Sequence, residues 1–471
     1  MLNFEPYTVE TLEKYLPYIR RSTSHCSEFS AGSQFMWNEG VEISYCLWND
    51  TFVMSQLLGG QRAFSWPIGK DPDGMIDKLL VYTKQNHLPL RFFAATEDVV
   101  EKVKSDPRLA PASFDFDVRW SDYVYSFEEA HNFAGKKFAG QRNHINKFVR
   151  LYGEPDVRVL SAKDKPKLDK MIAEYERQHA TRNTMEQMEL SHAKELLSSF
   201  ERFGLIGACL YVKDDIVAVS IGEVIGNMLL IHIEKALKEY EGAYPVMYRG
   251  LVRKTRELLG HPLVYINRED DSGDIGLRTS KRQYHPVFML NKYVIHINSP
   301  VAQIKQLPVL ESNRVVLDEI KETDKEAYLE LCSDVENNKY WGYDYREDPY
   351  VTGPLTPDTF YSSMAYDMRI GDSLNFAIRL GHEGDLIGEC ILWNFSQAKD
   401  AELGCRLIPR YHGLGYGKEA FGLAASYAKE VLGLNVNARC FKENEASRRM
   451  ILDNDFVEIN EDETFYYFKQ P

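Results

Sequence analysis

No apolar run in these 471 residues reaches the length that crosses a bilayer, and the acidic opening Met1-Leu-Asn-Phe-Glu5 has neither the basic nor the apolar region of a secretion signal. A cytoplasmic protein without an integral membrane segment is expected. Cysteine is scarce: the seven residues Cys26, Cys46, Cys209, Cys332, Cys390, Cys405 and Cys440 lie far apart and include no C-x-x-C pair, which indicates neither disulfides nor a zinc site. The 12 histidines form no metal-binding constellation, and no G-x-S-x-G elbow occurs. Positive charge is also short in one part of the chain. Residues 312 to 471 hold 17 Lys and Arg against 29 Asp and Glu, a balance of −12 out of the total of −14, which leaves −2 for the rest. Such a field repels nucleic acid and can attract a cationic amine, although a solubilising surface is its plainer reading. Hydrophobic residues at 44% and charged residues at 27% belong to a folded chain and exclude extensive disorder. The length exceeds one ordinary core and predicts roughly three domains of about 150 residues.

What is present is a strand, a glycine turn and a helix in Glu402-Leu-Gly-Cys-Arg-Leu-Ile-Pro-Arg-Tyr-His-Gly-Leu-Gly-Tyr-Gly-Lys-Glu-Ala-Phe421. Gly413, Gly415 and Gly417 remove side chains where the chain turns, so successive backbone N–H groups can converge on an anion at the positive end of the helix. Two commoner phosphate loops are excluded by spacing. A G-x-G-x-x-G fingerprint needs glycine where Lys418 stands, and a Walker A loop needs glycine at His412 and Ser or Thr at Glu419.

The remaining match resembles the acyl-CoA loop of the GNAT acyltransferases, Q/R-x-x-G-x-G/A, with His412 in the first position. Downstream, Asn444-Glu-Ala-Ser447 followed by Arg-Arg-Met-Ile-Leu-Asp-Asn-Asp-Phe456 resembles that family's N-x-x-S motif and short helix, with Asp455 in place of the usual glycine. A left-handed cap at Asn454 or Asp455 is expected there. The elements around the loop follow the same order. Thr323 is placed to cap a helix through Cys332, Ser373 to Trp393 reads as two strands joined at Gly381 to Asp385, and a strand runs from 402 to 408. The helix after the loop presents Phe421, Ala424, Ala425, Ala428 and Leu432 as one buried stripe and stops at Gly433. A strand Val436 to Cys440, a helix from Glu445 and a strand Phe465 to Phe468 complete the series.

Two long stretches, Gly135 to Gly153 and Tyr265 to Pro286, together with Ala243-Tyr-Pro, resemble the bacterial family typified by the C-terminal domain of phosphatidylglycerol lysyltransferase. That resemblance covers roughly residues 15 to 300 and implies two fused GNAT-like units. The expected architecture is therefore α+β: three tandem GNAT-like units, each a mixed, mostly antiparallel sheet flanked by helices. Their expected bounds are 1–153 (a degenerate unit) and 154–300, then a linker at 301–311 and an N-acetyltransferase unit at 312–471.

In the last unit the resemblance implies acetyl-CoA as cofactor. Its thioester would lie against Cys405, Leu407 and Ile408, and its diphosphate against Arg410, His412, Gly413, Leu414, Gly415, Tyr416, Gly417 and Lys418, with Asn444 and Ser447 alongside. Amide transfer also needs a proton acceptor for the attacking ammonium, and Glu389 and Glu402 on neighbouring strands are the candidates. The plainer reading of each is a solvated strand-edge carboxylate. Many GNATs carry a tyrosine, as proton donor to the thiolate, where Ile451 stands here, so Ser447 is the candidate, as in ribosomal-protein N-acetyltransferases. A hydrogen bond at a helix terminus accounts for that serine equally well. Cys405, with no His and Asp nearby in sequence, reads as a small buried residue rather than a nucleophile.

In the middle unit, Ile231 to Ala236 takes the place of the acyl-binding strand, but Leu237 to Pro245 has one glycine where the loop needs three. An ordinary CoA loop is absent. The resemblance implies an aminoacyl-tRNA donor, with Lys136, Lys137, Arg142, Lys147 and Arg150 on its phosphates and a polar pocket of Glu234, Tyr244, Asn267, Arg268, Glu269 and Asp270. The near-neutral charge of this region weighs against RNA. Acetyl transfer to a small-molecule or peptide amine is the leading expectation. A tRNA-dependent aminoacyltransferase centred on 154–300, and a non-catalytic binding module formed by the first two units, stay open beside it.

Overall fold

A computed structural model describes residues 2–39, 41–179, 184–299, 301, 304, 306–342, 344–346 and 354–471. Among them are three mixed, mostly antiparallel sheets flanked by helices. The first runs Glu5–Pro6, Ser44–Trp48, Thr51–Leu58, Gln61–Phe64, Leu90–Ala95, Tyr293–Ile297, Ala112–Phe116, with Ile68–Gly69 beside the third of these. The second runs Phe288–Leu290, Asp122–Ser126, Tyr265–Asn267, Met228–Ala236, Asp215–Ile225, Ile206–Val212, Asp156–Val159. The third runs Leu310–Glu311, Val316–Glu319, Leu374–Arg379, Leu386–Trp393, Asp400–Leu407, Asn435–Phe441, Phe465–Lys469, Val457–Glu461.

The first two sheets do not divide at residue 153. Asp122–Ser126 lies in the second sheet, paired with Tyr265–Asn267. The returning chain then places Phe288–Leu290 beside it and carries Tyr293–Ile297 into the interior of the first sheet, between Leu90–Ala95 and Ala112–Phe116. Buried ions hold this exchange. Lys292 donates to Asp122 at 2.8 Å and Glu28 at 2.7 Å, and Asp122 also accepts from Asn267 at 2.8 Å and the Ser27 N–H at 2.9 Å.

Each sheet holds one short parallel pairing: Gln61–Phe64 with Leu90–Ala95, Met228–Ala236 with Tyr265–Asn267, and Asp400–Leu407 with Asn435–Phe441. A helix follows the first strand of each pair. In the first unit that helix, Pro72–Gln85, is capped by its own Asp71, whose carboxylate accepts from Gly74 N–H at 3.0 Å. A negative side chain thus already occupies the positive end of the helix.

In the third unit the elements fall close to their expected bounds. Phe421, Ala424, Ala425 and Ala428 are buried in one stripe, Gly433 has φ 65°, and Asp455 takes the left-handed cap at φ 61°. Thr323 does not cap the helix Lys325–Ser333: it lies inside a preceding turn, Glu322–Asp324, where the Asp324 carboxylate accepts from Lys321 N–H at 2.7 Å. Several described residues of the segment expected as a linker are packed. Val301 and Leu307 are buried in the third core, and Leu310–Glu311 pairs with Val316–Leu317. The third unit docks on the first through Arg91–Asp372 at 3.1 Å, Arg369–Asp115 at 2.9 Å and His87–Asp400 at 2.6 Å.

Candidate functional site

Strand Asp400–Leu407 pairs with Asn435–Phe441 only at Asp400–Asn435, Ala401–Val436 and Glu402–Asn437. Beyond Glu402 the two strands part, and the sheet opens into a fork. Residues alternate across a strand, so Leu403, Cys405 and Leu407 face one side, and Glu402, Gly404 and Arg406 the other. On the first side lies the helix Tyr416–Ser426, packed through Ala420, Phe421, Ala424 and Ala425. The Cys405 thiol donates to the Gly417 carbonyl at 3.8 Å.

The loop joins the fork to this helix. Gly413 and Gly415 have φ of 73° and 83°, and the helix has no side-chain cap. None of the described residues accepts from the backbone N–H groups of 413 to 418, six in a row. The first N–H groups of a helix have no partner within it, and a row of them at the helix's positive end is the kind of arrangement that can meet an anion. The flanking side chains leave it open. His412 Nε2 donates back to the Leu407 carbonyl at 3.0 Å, Arg410 pairs with Glu330, and Lys418 lies 3.2 Å from Asp453. Leu414 is exposed and Tyr416 partly buried, while Ile408 is fully buried and donates its N–H to Ile387 at 2.8 Å. Of the residues expected to meet the diphosphate, 413 to 418 have backbone N–H groups with no acceptor among the described residues, whereas the side chains of Arg410 and His412 are engaged by Glu330 and the Leu407 carbonyl.

The two carboxylates differ sharply. Glu389 is 1% exposed and accepts from Arg406 at both Nε (2.8 Å) and Nη2, from Tyr328 at 2.9 Å and from Asn375 at 3.2 Å. Burial, then the Glu389 charge, lifts the Tyr328 hydroxyl well above its ordinary range. With four donors on two oxygens, Glu389 anchors Arg406 and has no lone pair turned to an amine. Glu402, in contrast, stands at the root of the fork, joined by Arg439 at 2.9 Å and Asn394 at 3.0 Å. Register places Trp393 opposite Glu402 and Glu389 opposite Arg406, so the carboxylates are four residues, roughly 13 Å, apart. One amine cannot meet both. Trp393 and Trp341 wall this face of the sheet, and a Cβ on Gly404 would fall 2.8 Å from one ring and 3.3 Å from the other.

Ser447 is not the helix cap. Asn444 is, accepting from Ser447 N–H at 3.1 Å, and the Ser447 hydroxyl has no partner among the described residues. Its helix, Glu445–Leu452, packs on the loop helix through Met450, whose sulfur is 3.5 Å from where a Gly417 Cβ would lie.

The middle fork is filled. After Leu230–Asn267 its strands part as well, but the Arg268 guanidinium enters the gap, 2.7 Å from Glu234 and 4.7 Å from the ring centroids of both Tyr248 and Tyr284. Arg268 Nε and Nη1, Tyr248 hydroxyl and Ser220 hydroxyl, paired in register with Glu234, are buried without a partner among the described residues. Asn267 is fully engaged by Asp122, His25 and Glu269, Asp270 holds Ser272, and Tyr244 is exposed. The expected pocket therefore contracts to Glu234 and Arg268. The start of the corresponding helix in the middle unit is covered: a Cβ on Gly242 would fall 2.3 Å from the His144 carbonyl of helix Ala139–Tyr152. Of the basic residues expected on RNA phosphates, Lys137, in the short turn Lys136–Phe138 before this helix, pairs instead with Glu129 at 2.7 Å, while on the helix Lys147 pairs with Glu241 and Arg142 donates to the Phe133 and Gly135 carbonyls at 2.6 Å.

Comparison with known proteins fits both halves. Residues 19–296, more than half of the chain, match the family model of the phosphatidylglycerol lysyltransferase C-terminal region. The chain belongs to that family. Its residues 314–457 match the acetyltransferase (GNAT) domain. The crystal structure of a conserved protein of unknown function from Bacteroides thetaiotaomicron VPI-5482 aligns with 63% of this lysyltransferase-family chain and all of its own, at 25% identity and TM-score 0.56. The uncharacterized N-acetyltransferase YoaA of Bacillus subtilis is 27% identical over 151 residues, 32% of this chain and 82% of its own length. The uncharacterized protein MYCGA3080 of Mycoplasmoides gallisepticum is 22% identical over 180 residues, 38% of this chain and 56% of its own. No helix among the described residues is long and apolar enough to cross a membrane.

Two contributors to the family member's last site escaped sequence reasoning. Arg406 looks like one more strand residue, and its partners Glu389, Asn338 and Cys332 come from three other elements. Arg314, which touches the loop, lies about a hundred residues before it, and no local pattern marks it.

Proposed function

We propose that the third unit transfers an acetyl group from acetyl-CoA to an amine. The observation that carries this reading is the row of six unpartnered N–H groups, 413 to 418, at the mouth of an open fork. Acetyl-CoA supplies an activated thioester; the chain's part is to hold and orient it and to move two protons. The loop takes the diphosphate, while the fork-facing backbone of 403 to 406, which has no ladder partner on that side, lines the acyl arm. Glu402 faces the amine from the tryptophan-walled side, and Ser447, its hydroxyl free, stands beside the loop helix to return a proton to the leaving thiolate. The family match of residues 314–457 supports the transferase class, and the acidic balance of this unit supports a cationic acceptor. Calorimetric titration of the full chain with acetyl-CoA tests the reading. One molecule bound per chain is expected, and absence of binding defeats it.

A second reading concerns the middle unit. The buried, unpartnered donors of Arg268 and Tyr248 favour a small polar ligand there, whether the aminoacyl group of a charged tRNA or a free molecule. Mass spectrometry of the purified protein separates these: copurifying tRNA supports aminoacyl transfer, and a bound small molecule supports a binding module.

A further inference from the structure

A row of N–H groups serves an anion only if every peptide in it points the same way, and one side chain outside the loop controls one of those peptides. Arg314 lies two residues before the strand Val316–Glu319. Its Nη1 donates to the Leu414 carbonyl at 2.9 Å and its Nε to Glu419 Oε1 at 2.6 Å. The Ser312 hydroxyl donates to the other Glu419 oxygen at 2.7 Å, and the guanidinium covers the Tyr416 ring, 5.1 Å from its centroid. Arg314 first, and Ser312 second, hold the Glu419 carboxyl below its ordinary range. The guanidinium is therefore fixed at one end by a carboxylate, and with the other end it grips the loop.

A trans peptide is planar, so the Leu414 carbonyl and the Gly415 N–H point in opposite directions. Drawing that carbonyl toward Arg314 turns the Gly415 N–H away from it and into the row. Glycine at φ 83° presents no Cβ to resist rotation of this peptide. The rotated form would set a carbonyl oxygen where the anion has to sit, replacing attraction by repulsion.

We infer that Arg314 is the positioning residue of the diphosphate loop, fixing through the Leu414 carbonyl the peptide that aims the Gly415 N–H, with Glu419 and Ser312 holding the guanidinium. The inference rests on the acetyl-CoA reading of this unit. Arg314 stands outside the fork and acts only where phosphate meets backbone.

The test uses the full chain and two probes, acetyl-CoA and S-acetylpantetheine, which keeps the thioester arm and lacks the diphosphate. Arg314→Ala is expected to raise the Kd for acetyl-CoA about tenfold or more, the size of a hydrogen bond to a charged group, and to leave S-acetylpantetheine within about twofold. Arg314→Lys can reach the carbonyl or the carboxylate but not both, and recovers part of the loss. Glu419→Gln keeps the side chain's shape and one acceptor oxygen but removes the charge, loosens the hold on the guanidinium, and weakens acetyl-CoA by a smaller factor with the same selectivity between probes. Equal acetyl-CoA affinity in wild type and Arg314→Ala overturns the positioning role, as does an equal loss for both probes. Should Arg314→Ala fail to fold, an unchanged affinity in Glu419→Ala, which removes both acceptor oxygens, overturns it instead. Failure of the wild type to bind acetyl-CoA at all is a different result, and it defeats the parent reading.

Discussion

The middle and last units carry the same fork and fill it in opposite ways. In the last, the strands part after Glu402 over a bare helix end and six free N–H groups. In the middle, Arg268 and three tyrosines close the gap, and the helix Ala139–Tyr152 lies over Gly242. The lesson is that a sheet opening is only half of a cofactor site. The other half is backbone left unpaired at a helix end, and this is lost as soon as another element packs there. The first unit loses it more simply, through Asp71.

The comparison is sharpened most by removing the plug. Arg268→Ala leaves the mostly buried Glu234 without its cation, so the chain should lose about 3–5 kcal/mol of stability, seen by denaturant unfolding. Acetyl-CoA should still bind once per chain, because His144 and its helix keep the middle cradle covered. A second equivalent of bound acetyl-CoA would break the contrast between the forks. Next comes the open loop. Gly415→Asp sets a negative side chain among the N–H groups, and affinity for acetyl-CoA should fall at least about 100-fold, or roughly 3 kcal/mol, with a modest fall in melting temperature because φ is 83° there and an added Cβ lies 3.0 Å from the Arg314 guanidinium. Equal affinity in calorimetric titration counts against the cradle.

Ser447→Ala tests chemistry apart from binding. Turnover with an amine acceptor should fall about 10- to 1,000-fold while acetyl-CoA affinity stays near wild type, and full activity removes the serine from the mechanism. The smallest effect is expected from pH. On the far side of the middle sheet, burial works against the charge on His232, but Glu223 and Glu269 outweigh it and lift its pKa to about 9. A pKa raised from the ordinary 6.5 means stability fully present below that pH and lost as pH rises toward about 9. His232→Gln should flatten this decline in the melting temperature; an undiminished slope assigns it to other groups.

Much of the last site was legible because its signals are local. Three glycines at fixed spacing, an apolar stripe at helical period and Asn444 three residues before Ser447 all act within a few turns of chain. What was hidden depends on partners far apart. Glu389 reads as an exposed strand carboxylate until Tyr328, 61 residues earlier, and Arg406, 17 residues later, are seen to enclose it. Asn267 and Lys147 looked like ligand contacts for the same reason: their partners Asp122 and Glu241 lie 145 and 94 residues away in sequence. Asp122–Ser126 and Tyr293–Ile297 both look like strands, yet nothing within five residues states which sheet a strand will join.

That last pairing governs how the molecule is made. Leu90–Ala95 leaves the ribosome some two hundred residues before its neighbour Tyr293–Ile297, and among the described residues Ala112–Phe116 has no other partner in the first sheet. The first sheet therefore stays incomplete through synthesis of the entire second unit, with the apolar faces of its helices waiting on a strand not yet translated. Birth order and folding order part company here. The N-terminal unit, first to emerge, is closed only when the second is finished, and the two cannot be separated by a single cut.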